Sequence, residues 1–118
     1  MAQQTLLENV RVLLAGKPGC RQQTVFGLPA FLLHGRLCCA VDNSRLLVRV
    51  DQHSYRQMLD QPAIRPFVLC GQPLTGWLLI DSRALGPHEL LVWVEKSCRH
   101  VSSLPTFTGM DHESSPAY

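Results

Sequence analysis

The chain has 118 residues, 46% of them hydrophobic and 17% charged, which suits one globular domain burying about 65% of its unfolded surface. Its net charge of +2, from 11 basic and 9 acidic residues, falls far short of the cationic surface of a dedicated nucleic-acid binder. The N-terminus lacks the basic start and unbroken apolar run of a signal peptide, and no stretch is apolar enough to span a bilayer, so a cytoplasmic protein without membrane contact is expected.

Thr5-Leu6-Leu7-Glu8 has the spacing of a capping box, followed by Leu6, Val10, Leu13 and Leu14 at helical period; this predicts a helix over 5–15, closed by Gly16 and Pro18. From Thr24 the period becomes two. Thr24–Gly27 reads as extended, and Pro29–His34, Leu37–Val41 and Arg45–Val50 read as strands. Turns are expected at His34-Gly35-Arg36 and Asp42-Asn43-Ser44. Asp51 is placed to cap a short helix ending near Leu59, before Pro62. Phe67–Cys70 and Trp77–Ile80 form a second hairpin around Gly71-Gln72-Pro73. Pro87 opens a last helix carrying Leu90, Trp93, Val94, Ser97 and Val101 on one side. The expected order is αββββαββα, an α+β two-layer sandwich on an antiparallel sheet. This domain covers residues 1–105. Residues 106–118 lack periodicity and are expected to form a disordered tail.

Chemistry-bearing motifs are scarce. Gly71-Gln72-Pro73-Leu74-Thr75-Gly76 has the glycine spacing of a phosphate loop, but Trp77-Leu78 stands where Lys and Ser/Thr are required. Cys98 and His100 are two residues apart on the last helix and so point in different directions. The five cysteines are an odd number without regular spacing, so reduced thiols are expected. Strict alternation would send Cys38 and Cys39 to opposite faces. The histidines make no closed set of ligands, and neither a catalytic residue, a metal nor a cofactor is expected. Trp77 and Trp93 are expected in the core.

One feature departs from an ordinary fold. Alternation in the fourth strand puts Leu46, Val48 and Val50 on one face, and Arg45, Leu47 and Arg49 on the other. A sheet covered by helices on one side usually turns a polar face to water. Here that second face is half apolar with Arg36, Arg45 and Arg49 around it, which marks Arg36, Arg45, Leu47 and Arg49 as candidate partner-binding residues.

The runs Val25-Phe26-Gly27, Ala30-Phe31-Leu32-Leu33-His34-Gly35-Arg36, Leu46-Leu47-Val48-Arg49-Val50, Arg65-Pro66-Phe67, Gly71-Gln72-Pro73-Leu74-Thr75-Gly76-Trp77 and Leu90-Leu91-Val92-Trp93-Val94 together resemble the N-terminal domain of the TfoX (Sxy) family of bacterial competence regulators. The resemblance extends to Leu104-Pro105. It departs at Val25-Phe26-Gly27-Leu28, where the family has Met-Phe-Gly-Gly, and it lacks the C-terminal domain of full-length regulators. The resemblance implies a secretion-chaperone-like α+β domain, often dimeric, with no catalytic residues to carry over. The expected function is therefore a non-enzymatic module: a homodimer binding a protein partner as a transcription or competence co-regulator or adaptor. The alternative is direct nucleic-acid binding through the arginines, and a small thiol or small-molecule enzyme ranks below both.

Overall fold

The computed structural model describes residues 5–104, so the expected tail over 106–118 lies outside the described residues. Helix α1 (Leu6–Leu14) begins at the expected capping box: the Glu8 N–H donates to Thr5 Oγ1 at 3.1 Å, and the Thr5 N–H donates to Glu8 Oε1 at 3.3 Å. Val10 and Leu14 are its buried side chains.

Four strands follow: β1 (Cys20–Val25), β2 (Leu28–Leu33), β3 (Arg36–Asp42) and β4 (Arg45–Arg49). After α2 (Gln52–Met58) come β5 (Ile64–Leu69), β6 (Gln72–Asp81), a 3-10 turn at Ser82–Ala84, and α3 (Pro87–Ser102). The order is αββββαββα, with three helices packed on one six-stranded antiparallel sheet.

Turn chemistry sets the hairpin positions. Phe26-Gly27, His34-Gly35 and Cys70-Gly71 each place both central residues at positive φ, the geometry whose twist matches two flanking strands. Phe26 therefore sits at a turn tip rather than in a strand, and β1 starts at Cys20. The β5–β6 turn falls at Cys70-Gly71, so Gln72 and Pro73 already belong to β6.

The strands lie in the order β1-β2-β3-β4-β6-β5. β6 therefore pairs on both sides, and its Leu78 and Ile80 are fully buried. All helices cover one face. Asp51 caps α2 by accepting from the Ser54 N–H at 2.8 Å. Pro87 stands in the first turn of α3, where its missing N–H removes no helical bond. Leu90, Val94, Cys98 and Val101 of α3 pack with Phe31, Cys39, Val41, Leu46 and Val48.

A bulge breaks the alternation of β3. Phe31 pairs with Cys39, but its neighbour Leu32 pairs with Leu37, leaving Cys38 as the extra residue. Cys38 and Cys39 consequently both belong to the helix-side core, against the expectation of opposite faces. Leu37, which unbroken alternation would put on the same face as Cys39, joins the second face instead.

That second face is a core in its own right. Ala30, Ala40 and Leu47 are fully buried there, with Leu37, Phe67 and Trp77 nearly so, while the buried residues of α1, α2 and α3 belong to the other cluster. Five strand spacings would separate β1 from β5 by about 24 Å in a flat sheet. Yet Phe26, at the end of β1, and Phe67, on β5, have ring centroids 5.7 Å apart. The sheet curls enough for the tip of its first hairpin to reach the opposite edge strand over this face.

Candidate interaction surface

The closure decides which expected residues reach solvent. Leu47, between Ala40 on β3 and Leu79 on β6, is 0% exposed. It supports the second face from beneath and touches no solvent. Arg49, on the same face, is half buried; its guanidinium lies 5.4 Å from the centre of the Trp77 ring, within cation–π range. Its backbone N–H donates to Ser97 Oγ on α3 at 3.3 Å, so β4 is tied to the helix layer at this point.

Arg45 begins β4 opposite Asp81 and is exposed. With Arg65, Leu79, Asp81 and Arg83 it lines a crevice of about 30 Å³ beside Pro62 and Ala63. That volume is near the share of one water molecule, so the arginines form a charged rim and not a ligand pocket. Asp81 stands within the rim. Its carboxylate accepts from the Arg83 backbone N–H at 3.0 Å and from the Arg83 guanidinium at 3.2 Å, which holds its pKa below the ordinary carboxylate value.

The structure brings Arg45, Leu47 and Arg49 to one face but separates Arg36 from them. Arg36 pairs with Leu33, whose side chain is in the helix-side core, so Arg36 belongs to that side. The bulge at Cys38 is the cause: one extra residue inverts the faces of everything before it in β3.

Sequence reasoning missed Arg65 and Arg83. Arg65 alternates with Phe67 and Leu69 and was legible once β5 was allowed to start at Ile64. Arg83 sits in a 3-10 turn whose position has no period to betray it.

Trp93 lies on the helix side, half buried. It lines an open hollow of about 490 Å³ with Met58, Pro62, Ile64, Ile80 and Ala84, whereas Trp77 is a core residue. Among the described residues no three His, Cys, Asp or Glu side chains come together as a metal site, and no helix is long and apolar enough to cross a membrane.

These features define an α+β protein with one curled antiparallel sheet, helices on one face and arginines at the rim of the other. Its backbone is similar to the crystal structure of the Deinococcus radiodurans protein DR2400, which has a DUF419 family-model domain. The TM-score is 0.68, over 92% of this chain and 86% of that one, with 16% sequence identity, so the likeness is one of fold. No family model matches the chain, and no curated protein does.

Proposed function

We propose that the chain is a non-enzymatic interaction module of the TfoX N-terminal type, a homodimer that binds a protein partner as a transcription or competence co-regulator or adaptor. The observation that carries this reading is the charged rim of Arg45, Arg65 and Arg83 on the face where Phe26 closes over Phe67. Phe26 remains 37% exposed there. A cationic rim beside an exposed aromatic ring suits an acidic protein surface carrying an apolar anchor, because the charges steer the encounter and the ring supplies buried area.

Charge reversal tests it. Arg45 and Arg65 are exposed, so Arg45→Glu/Arg65→Glu should leave the circular dichroism unchanged. The native protein should sediment as a dimer and hold its partner through purification, and the double variant should lose the partner. A native protein that is monomeric and whose associations ignore the double reversal would refute the reading.

Nucleic acid is the second reading, and the same three arginines favour it. If all three meet phosphates, log K should fall with log salt at a slope of about −2.7. A net charge of only +2 falls short of a dedicated nucleic-acid binder, which ranks a protein partner first.

A further inference from the structure

Cys38, Cys39 and Cys98 are buried where β3 meets α3, and the proposed interaction surface uses none of them. The bulge turns Cys38 toward the helices, and α3 lays Cys98 against it. Their sulfurs stand 3.5 Å apart, between residues 60 positions apart in the chain. Ser97, fully buried beside them, holds this contact in place: its hydroxyl donates to the Cys38 carbonyl, and Cys38 Sγ lies 3.5 Å from Ser97 Oγ. Cys20 is half buried at the start of β1, and Cys70 is exposed at a hairpin tip.

We propose that Cys38 and Cys98 are a redox pair that closes to an intramolecular disulfide by exchange with a low-molecular-weight disulfide of the glutathione type. One protein thiolate attacks the reagent and expels a small thiol. The second attacks the mixed disulfide and expels the other. The two protein thiols lose two electrons and two protons, and the reagent is reduced to two small thiols.

The geometry requires the sulfurs to approach by about 1.5 Å to reach bonding distance. Such a step is within reach of a side-chain adjustment at one helix–strand contact. The reaction is slow by construction. Hydrogen bonding with Cys39, with burial adding to it, pushes the Cys38 thiol up to about 12, and hydrogen bonding with Cys38 and burial push Cys98 up as well. Attack by thiolate therefore passes through a transient opening of α3 from β3. Once formed, the bond clamps α3, which carries the exposed Leu91 and Val92, to the sheet.

The test equilibrates the full chain with oxidised and reduced glutathione, quenches with acid, alkylates the remaining thiols and maps the peptides by mass spectrometry. The expected product has lost two hydrogens and links Cys38 to Cys98, and Cys39→Ala keeps the link because Cys39 takes no part. Closing a loop of this length should lower the unfolding equilibrium constant by roughly a thousandfold, reversibly with dithiothreitol. Glutathione adducts on Cys20 or Cys70 with Cys38 and Cys98 still alkylated at equilibrium would overturn the proposal. So would a link that uses Cys39, or a Cys38–Cys98 bond that leaves the unfolding constant unchanged. The mapping is done on the native sequence, so it does not depend on a buried variant folding.

Discussion

The ring of Phe26 meets the ring of Phe67 at 5.7 Å and 39°, joining the first hairpin to the opposite edge strand across the uncovered face of the sheet. This contact lies over the second apolar face. Beneath it Leu47, Ala30 and Ala40 are fully buried, and the charged rim, part of the Phe26 ring and partly exposed apolar side chains such as Leu28 and Leu79 face outward.

Phe26→Asn isolates the contact. Asn followed by Gly27 is a preferred pair for a hairpin turn with positive φ at both positions, so the turn is retained and only the ring is lost. Stability should fall by about 1 kcal/mol, the worth of an aromatic pair beyond its area. In a Trp93→Phe background, acrylamide should quench Trp77 fluorescence more strongly than in the parent. Equal quenching would mean that the two ends of the sheet close without Phe26.

Leu47→Asp should destabilise the fold rather than dissociate an assembly. The new carboxylate would be buried among Ala40, Phe67 and Trp77, and a buried charge without a partner costs about 3–5 kcal/mol. Leu47→Ala, which leaves only a cavity, should cost about 2–5 kcal/mol with the fold retained. Circular dichroism and urea titration distinguish these outcomes from a folded monomer with native stability, which would place Leu47 in an interface.

Ser97→Ala probes the bulge. The Ser97 hydroxyl serves the Cys38 carbonyl and the Arg49 N–H together, from a fully buried position. Removing it takes the hydroxyl donor from the buried Cys38 carbonyl, and a buried polar group left unpaired costs about 1–3 kcal/mol. Urea denaturation should show a loss in that range or above it, and Ser97→Thr should recover part of it. A loss below about 0.5 kcal/mol would mean that the bulge is held by strand pairing alone.

His100 should make stability pH-dependent. Burial first, then the positive Arg49, lowers its pKa from the ordinary 6.5, partly offset by Asp51. The unfolded chain thus binds the proton more readily than the folded one, so folding loses stability as pH falls from 6.5 through the lower folded value. At higher pH the contribution is fully present. His100→Gln should flatten the slope of stability against pH in that window. A slope identical to the parent's would show that other groups cause it.

The element order and several boundaries were legible in the sequence because they depend on short-range chemistry. A capping box spans three residues, so Thr5 and Glu8 announce α1 unaided, and Pro87 marks the start of α3 by its missing N–H. The alternation of β4 likewise assigned Leu46 and Leu47 to opposite faces correctly. Tertiary structure alone decided the register of β3, the place of β5 outside β6, and the closure of Phe26 on Phe67. Reading faces at period two assumes an unbroken ladder. One bulged residue at Cys38 inverts that reading for Leu37 and Arg36, and nothing within β3 itself signals it. Whether an apolar sheet face stays open depends on how far the sheet curls, which is a sum over six paired strands and not a property of any one segment.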